Sequence, residues 1–225
     1  MKEIVQFLRE LQKNNNTEWF HAHKKQYEAV KEQFNQFALK LIAGVAEFDK
    51  STAGLELKDC TYRINRDIRF SSDKSPYKTH FGVFIAPGGK KAGKAGYYFH
   101  VSVGGEGYPD ESMLAVGHYC YDKKVVEIVR EDIMDDGAAF DSFVQTARKK
   151  GFRLDEDNSL KKLPKEMAAS PYSNYLRLKT YCLDKPVDES FLYDDQLLEK
   201  VIELFKLNMP FITYLNQVID YTQED

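Results

Sequence analysis

The hydrophobic period of this sequence changes near Gly54, and that change decides the fold class. Before Gly54, an apolar stripe recurs at steps of three, four or seven residues, which is the spacing of one face of an α-helix. Its members are Phe20, Tyr27, Val30, Phe34, Phe37, Leu41, Val45 and Phe48. The stripe predicts one helix of roughly 45 Å at 1.5 Å per residue. A shorter amphipathic helix precedes it, and residues 14–16, all Asn, separate the two.

After Gly54, short segments rich in Tyr, Phe, Val and Ile alternate with Gly and Pro, which indicates β-strands. The first four predicted strands are 58–64, 79–86, 96–103 and 113–121. Their connections are too short for a parallel crossover, so we expect an antiparallel meander. Further strands are predicted at 153–155 and 176–183, with helices at 122–135, at 138–150 and near the C-terminus.

These segments predict an α+β fold. We expect an antiparallel sheet of about four to six strands, packed on the long N-terminal helix and on the C-terminal helices. No repeat or low-complexity linker divides the chain, so a single domain over residues 1–225 is expected.

Composition places the chain among ordinary globular proteins. It has 225 residues, of which 43% are hydrophobic and 30% are charged. No apolar run has the length of a membrane span, and the N-terminus lacks the uninterrupted apolar core of a signal peptide. Cys60, Cys120 and Cys182 are far apart, as is usual for buried thiols in a reducing compartment. We therefore expect a cytoplasmic protein with no membrane partner.

The segment from Tyr62 to His80, YRINRDIRFSSDKSPYKTH, concentrates positive charge in a chain whose net charge is -3. Its cations are Arg63, Arg66, Arg69, Lys74 and Lys78, and its acids are Asp67 and Asp73. A guanidinium group can bind phosphate or carboxylate through two parallel hydrogen bonds. The segment therefore predicts an anion-binding site. It can equally be an internal ion network, with Arg63 paired to Asp67 and Arg69 to Asp73.

Alternation along the predicted strands points to the chemistry beside this segment. Because neighbouring strand residues face opposite ways, His80 shares a face with Gly82, and Tyr98 shares one with His100. That face would gather Arg63, His80, Tyr98 and His100, while the other face is apolar. Histidines titrate near neutral pH and can transfer protons. We expect catalytic roles for His80, His100, Asp67 and Asp73, with Tyr98 and Asn65 in support.

A metal ion bound by His80, His100 and Asp67 is a weaker alternative, since two histidines and a carboxylate form a known ligand set. His21 and His23 are two residues apart on a predicted helix and face different directions, so they make a poor metal pair. The cofactor, the substrate and the oligomeric state are left open by the sequence.

Four blocks of sequence resemble the domain of unknown function 2461 family of bacteria. They are NNNTEWFHAHKKQYE at 14–28, YRINRDIRFSSDKSPYKTHFGVFIAPGGKK at 62–91, GYYFHVS at 96–102, and LKKLPKEM with YLRLKTY between 160 and 181. The resemblance implies a single α+β domain and marks Arg63–His80 as the family's signature. It implies no activity, substrate or catalytic residue.

Three functions are consistent with these patterns. The first is an enzyme, such as a hydrolase, acting on a phosphate-bearing or other anionic substrate through the Arg, Lys and His cluster. The second is a non-catalytic module that binds nucleic acid or a phosphorylated partner, although a pI near 6.0 disfavours nucleic acid. The third is a structural protein in which the Arg and Asp residues form an internal ion network.

Overall fold

The computed structural model describes residues 1–104, 111–119, 122–156 and 159–224. The helices of the first quarter are α1 (Lys2–Lys13), α2 (Thr17–Ala22), α3 (Lys24–Phe48) and α4 (Leu57–Cys60), with a 3₁₀ turn at Lys50–Thr52. The strands are β1 (His80–Ile85), β2 (Gly96–Ser102), β3 (Ser112–His118), β4 (Arg153–Leu154) and β5 (Tyr181–Val187). The later helices are α5 (Lys123–Arg148), α6 (Lys165–Ala169), α7 (Ser173–Leu176), α8 (Glu189–Leu192), α9 (Leu197–Leu207) and α10 (Met209–Glu224).

Within the described residues, five strands form one sheet in the order β1-β2-β3-β5-β4, and each neighbouring pair is antiparallel. The predicted α+β class is confirmed, and so is the antiparallel sheet with its long N-terminal helix and its C-terminal helices. β1, β2 and β3 follow one another as a meander, whereas β5 enters beside β3 only after α5, β4, α6 and α7.

One face of the sheet is buried against helices from both ends of the chain. Phe81, Val83, Tyr97 and Phe99 all point to this face and are at most 7% exposed. The ring of Phe99 lies 5.2 Å from that of Phe37 on α3, measured between centroids. The contact follows from the two periods of the sequence, because the helical stripe and the alternating strand residues each present one apolar side.

The long helix begins later than its apolar stripe predicts. A break at His23 separates α2 from α3, so Phe20 belongs to the shorter helix. The imidazole Nδ1 of His23 lies 2.8 Å from the Trp19 carbonyl oxygen, and the two rings stack at 4.0 Å. The backbone of His23 departs from helical geometry, with φ -104° and ψ 17°, and this separates the two helices.

The first predicted strand, 58–64, is wrong. Residues 57–60 form α4 instead, and only Thr61 forms a single antiparallel bridge, to Val83 of β1. The Asp59 carboxylate accepts a hydrogen bond from the Glu56 backbone N–H at 3.0 Å, which caps the short helix. The strand propensity of the segment is overridden by this cap.

The strand predicted at 176–183 is shifted toward the C-terminus. Leu176 ends α7, and β5 runs through Pro186 to Val187. Proline is tolerated there because β4 is only two residues long and pairs no further along β5 than Asp184. β3 ends at His118, and residues 120 and 121 of the fourth predicted strand lie outside the described part of the chain.

The two helices predicted at 122–135 and 138–150 are joined in the span of α5. Asp136 has non-helical angles, φ -135° and ψ 71°, and this kink separates the two halves. Gly137 follows it, where the ring of Tyr172 packs so closely that a Cβ atom would lie 2.1 Å from it.

Gly117 provides the first test, because it has φ +136° and an added Cβ would lie 2.3 Å from the Tyr181 carbonyl oxygen. We expect Gly117→Ala to lower the free energy of unfolding by about 2–4 kcal/mol, measured by urea denaturation. Gly54→Ala is the matched control, since Gly54 has φ +81° but open space around its Cβ position. It should cost only about 1–2 kcal/mol, the cost of the backbone conformation itself. Equal losses would show that the approach of β5 to Gly117 is unimportant.

Candidate functional site

The face of the sheet opposite the helices carries a cavity of about 850 Å³. Its wall includes residues from β1, β2, β3, β4 and β5 and from the segments that flank them. The polar and aromatic side chains of this wall include Tyr62, His80, Lys90, Tyr98, His100, Tyr119, Arg153, Cys182 and Asp184. Volumes of this size are typical of sites for small molecules.

Strand pairing places four cavity residues in one row across the sheet. Phe84 pairs with Tyr98, Tyr98 with Ala115, and Ala115 with Asp184. Neighbouring strands are about 4.8 Å apart, so the backbones of Tyr98 and Asp184 are separated by about 10 Å. Only the methyl group of Ala115 lies between them, which leaves room above the sheet.

His100 is buried in the wall, with 3% of its surface exposed, and both ring nitrogens have partners. Nε2 lies 2.9 Å from the Glu111 carbonyl oxygen, and Nδ1 lies 3.2 Å from the Tyr98 hydroxyl oxygen. Burial lowers the pKa of His100, and the hydrogen bond to Glu111 opposes this only in part. His100 is therefore a neutral imidazole whose orientation is set on two sides.

Gly82 has no side chain, and this leaves the space that the Tyr98 hydroxyl occupies. A Cβ atom on Gly82 would lie 2.8 Å from the Tyr98 hydroxyl oxygen, so a larger residue would push the phenol ring away. The Tyr98 and His100 rings meet edge to face at 5.3 Å. This pair is a rigid part of the sheet surface.

His80 is the second histidine of the wall, with its ring centroid 5.8 Å from that of His100. Burial lowers the pKa of His80 to about 3, and the nearby His100 and Lys78 add to the effect. A histidine with this pKa is uncharged at neutral pH. It can then accept a proton when the charge around it changes.

Three cations lie next to Tyr62 at one end of the cavity. The Lys78 ammonium is 5.4 Å from the Tyr62 ring centroid, and the Lys90 ammonium is 5.8 Å from it. Burial lowers the pKa of Lys78, and the charge of Arg63 lowers it further. Among the described residues, neither Arg63 nor Lys78 has a carboxylate in ion-pair distance. This end of the cavity thus carries positive charge that no ion pair among the described residues neutralises, although the charge of Arg63 also lowers the pKa of Asp67.

The opposite end of the cavity is formed by β4 and β5. The Asp184 carboxylate accepts a hydrogen bond from Nε of Arg153 at 3.1 Å. Burial raises the pKa of Asp184, and the bond from Arg153 acts against this shift. Cys182 also faces the cavity, and burial raises the pKa of its thiol to about 12, so it is a weak nucleophile.

The basic signature segment forms a braced loop beside the cavity. Arg66 is its centre, forming an ion pair with Asp73 and donating to the Ser75 carbonyl oxygen at 3.1 Å. The side chains of Arg66 and Asp73 are only 10% and 17% exposed. Hydrogen bonds from the Ser75 hydroxyl and backbone N–H, and then from Arg66, lower the pKa of Asp73 to about 2. Asp73 is therefore a permanent carboxylate that fixes the loop.

Two other cations of the loop, Arg69 and Lys74, also have partners within it. Arg69 forms a two-point ion pair with Asp67, at 2.9 and 2.6 Å, and these bonds lower the pKa of Asp67. Lys74 donates to the Ile68 carbonyl oxygen at 3.0 Å. The pairing differs from the one suggested by the sequence, because the loop folds back and brings Asp73 to Arg66 rather than to Arg69.

A family model described as "Conserved hypothetical protein (DUF2461)" matches residues 3–214. The chain belongs to this family. The matched range contains every residue of the cavity wall and the whole signature loop of this DUF2461 protein. No curated protein and no solved structure matches the chain.

The structure separates the candidate residues of this DUF2461 chain into two groups. His80, His100 and Tyr98 line the cavity together, as strand alternation predicts. Arg63 and Lys78 lie near it, whereas the remaining candidates belong to the loop. These are Asn65, Arg66, Asp67, Arg69, Asp73 and Lys74. Asn65 is exposed and pairs through its backbone with Tyr77.

Sequence patterns missed Lys90, Tyr62, Arg153 and Asp184 as parts of the site. Lys90 belongs to the Pro-Gly-Gly-Lys-Lys turn, which looks like a solvent-exposed hairpin tip, yet its ammonium donates to the Lys58 carbonyl oxygen. For Asp184 alone the sequence held a signal of a role in the site, because this charged residue directly follows the predicted strand 176–183.

In the four described ranges, no group of three His, Cys, Asp or Glu side chains is close enough to hold a metal ion. In the same ranges, no helix is long and apolar enough to cross a membrane.

The lowered pKa of His80 predicts sensitivity to acid. The unfolded chain binds a proton at the ordinary pKa of 6.5, whereas folded His80 does so near 3. Stability from this group is therefore fully present above pH 6.5 and is lost as the pH falls toward 3, by up to about 1.4 kcal/mol per pH unit. We expect His80→Asn to reduce the slope of the free energy of unfolding between pH 6.5 and about 4.5, a range above the titration of Asp73.

Urea denaturation across that pH range measures the slope. His21→Asn is the matched control, because His21 is exposed on α2 and lies far along the chain from the cavity residues. It should leave the slope as in the wild type. A His80→Asn variant with the wild-type slope would contradict the burial of a neutral imidazole at this site.

Proposed function

We propose that this chain is an enzyme of the hydrolase type, which binds a small phosphate-bearing or otherwise anionic molecule in the cavity on the open face of the sheet. The observation that carries the proposal is the meeting of Lys78 and Lys90, which form no ion pair among the described residues, with two neutral histidines at one end of that cavity. Perturbed titratable groups that converge on a cleft are typical of functional sites.

The charge at the Tyr62 end favours an anion. Lys78 is half-buried, and its positive charge faces Arg63 and His80 rather than a carboxylate of the described residues. Like charges held together in a partly buried place raise the free energy of the empty site. A bound phosphate or carboxylate group would lower it, since it would pair with Lys78 and Lys90 in surroundings that water screens poorly.

The same anion would prepare His80 for proton transfer. Negative charge next to His80 raises its pKa toward neutral pH, where an imidazole is most effective as an acid or a base. His80 is the better candidate for the base, because it lies close enough to Lys78, the proposed anion-binding residue, for that charge to lower its pKa. His100 would act through Tyr98 as a positioning residue.

Hydrolysis of a phosphate ester would then use His80 as the base. The oxygen of a water molecule bonds to phosphorus while the bond from phosphorus to the ester oxygen breaks. His80 takes the proton of the water and returns it to the departing alkoxide, so that an alcohol and inorganic phosphate leave. Asp67 and Asp73 remain ion-paired carboxylates whose role in this proposal is to hold Arg69 and Arg66.

We place this activity in the cytoplasm. Cys60 and Cys182 are buried free thiols, which suits a reducing compartment, and Cys120 lies outside the described residues.

Binding of pyrophosphate tests the proposal. We expect it to raise the melting temperature of the wild type, since a ligand that binds only the folded state stabilises it. Lys78→Gln should weaken binding roughly tenfold, the change that corresponds to about 1.4 kcal/mol. Lys40→Gln, which removes an exposed ammonium from α3, is the matched control and should leave binding unchanged.

Calorimetry at pH 6 and pH 8 should show tighter binding at the lower pH, because the bound anion raises the pKa of His80.

A screen of phosphate esters for released inorganic phosphate tests the catalytic step. His80→Asn should reduce turnover roughly 10²-fold or more, the usual contribution of a general base. His21→Asn should retain it. Pyrophosphate binding that is unaffected by Lys78→Gln, or turnover that survives His80→Asn, would count against these roles.

Phe70 favours a second candidate function, that of a nucleic-acid binding module. Its side chain is 94% exposed at the tip of the braced loop, and the Arg69 guanidinium lies 5.8 Å from its ring centroid. An exposed aromatic ring beside cations can stack on a base while the cations contact phosphates. The net charge of -3 and the pI near 6.0 disfavour this function for the chain as a whole.

Retention of single-stranded DNA or RNA at low salt distinguishes this candidate. If the module function is correct, retention falls as salt is raised, and Phe70→Ala weakens it by about 1–3 kcal/mol. Tyr221→Ala, an exposed aromatic residue on α10, is the control. The absence of binding at low salt would exclude the module function and leave the enzyme proposal unaffected.

A further inference from the structure

The open face of the sheet is unusually poor in charge along its first three strands. By alternation, this face receives every second residue from His80 to Phe84, from Gly96 to Ser102 and from Met113 to Gly117. Among these described residues, none is Asp, Glu, Lys or Arg, and burial lowers the pKa of both histidines. The face of an antiparallel sheet that is not packed on the core is usually polar, because it meets water. This face is suited instead to contact with an apolar surface.

The apolar part of this face forms the floor of the cavity. Phe84 of β1 pairs with Tyr98 of β2, and Tyr98 pairs with Ala115 of β3. Met113 lies on the same side of β3, opposite His100, and both Phe84 and Met113 are only half-buried. Neighbouring strands are about 4.8 Å apart, so the floor extends about 10 Å from β1 to β3. It is long enough for a ligand of two fused rings.

Two exposed aromatic side chains border the same cavity. Tyr62 is 45% exposed and Tyr119 is 78% exposed. Burial of large apolar side chains is favourable, so exposed rings that gather at a cavity indicate a surface that a ligand covers. Tyr62 also connects this surface with the cations, because the Lys78 and Lys90 ammonium groups lie 5.4 and 5.8 Å from its ring centroid. The positive part and the apolar part of the cavity therefore adjoin.

We propose that the ligand of this cavity is an organic anion whose charged group is joined to a flat aromatic body, as in an aryl phosphate. This inference rests on the proposed function, which supplies the anion site at Lys78 and Lys90. The charged group lies at the Tyr62 end, and the aromatic body extends over Phe84 and Tyr98. Aromatic rings pack on one another offset or edge to face, so these two side chains suit a ring.

A sugar phosphate fits the same floor less well. Its hydroxyl groups would leave water for a surface formed by Phe84, Met113 and Ala115, whose side chains are poor hydrogen-bonding partners. Polar groups that lose water without gaining a new partner weaken binding. A preference for an aromatic body over a hydroxylated ring is thus the measurable consequence of the inference.

Calorimetry with two matched dianions tests the proposal. At pH 8, 2-naphthyl phosphate and glucose 6-phosphate carry the same charge and have similar sizes, but only the first has an aromatic body. We expect the wild-type protein to bind 2-naphthyl phosphate roughly tenfold more tightly or better. Lys78→Gln should weaken the binding of both dianions alike, since it removes the charge that they share.

Met113→Gln tests the floor itself, because it is a nearly isosteric change that introduces a polar amide. It should weaken binding of 2-naphthyl phosphate roughly three- to tenfold and leave binding of glucose 6-phosphate unchanged. Met134→Gln is the matched control, since Met134 is exposed on α5 and does not line the cavity. It should change neither affinity.

Each outcome separates the inference from the proposed function. Equal affinity for the two dianions, tighter binding of glucose 6-phosphate, or equal losses for both in Met113→Gln would overturn the aromatic body and leave the anion site intact. If neither dianion binds at millimolar concentration, the proposed function is wrong and the inference fails with it.

The fluorescence of the naphthalene ring provides a readout that needs no variant. Acrylamide is a neutral quencher and does not compete for the anion site. We expect the ring of 2-naphthyl phosphate to be shielded from acrylamide when the protein is in saturating excess. A bound ring that is quenched as strongly as the free ligand would lie in water and would overturn the inference, even in a protein that binds phosphate.

Discussion

Burial of one face of the antiparallel sheet is the constraint on which the site depends. The aromatic and branched residues of β1 and β2 pack on α3, and their neighbours in the sequence must then face the other way. A shift of one residue in β1 would bring His80 into the apolar core, and the same shift in β2 would bring His100 there. The core therefore fixes the register, and the register assembles the two histidines and Tyr98 at the cavity.

The signature loop has a different basis for its order. Apart from the core contacts of Ile64 and Tyr77, it is held by charge and hydrogen bonds, with Arg66 joining Asp73, Ser71 and Ser75 in one network. The cations that this network uses are compensated. Arg63 and Lys78, at its base, form no ion pair with a carboxylate of the described residues, although the charge of Arg63 acts on Asp67. A segment that looks uniformly basic in the sequence thus divides into a structural part and a part that can meet a ligand.

The hydrophobic period of the sequence was sufficient to predict those features that depend only on the local geometry of a strand or helix. Alternation predicted the shared face of His80, Tyr98 and His100, since a strand leaves only two directions for a side chain. It failed for 58–64, where the Asp59 cap favours a helical turn. It had no means to place Asp184, because the position of β5 beside β3 depends on a long connection through α5. The partners of Arg66 likewise depend on how a loop of irregular backbone folds back.

Both outer edges of the sheet have features that hinder the addition of a strand from another chain. Unpaired backbone groups along an outer strand invite another chain to add on, which is a common route to aggregation. At one margin Thr61 bridges to Val83 and covers part of β1. At the other, β4 is very short, and Lys185 and Pro186 occupy the stretch of β5 beyond its reach. A proline without an N–H group and a charged neighbour make that margin a poor template for the addition of a further strand.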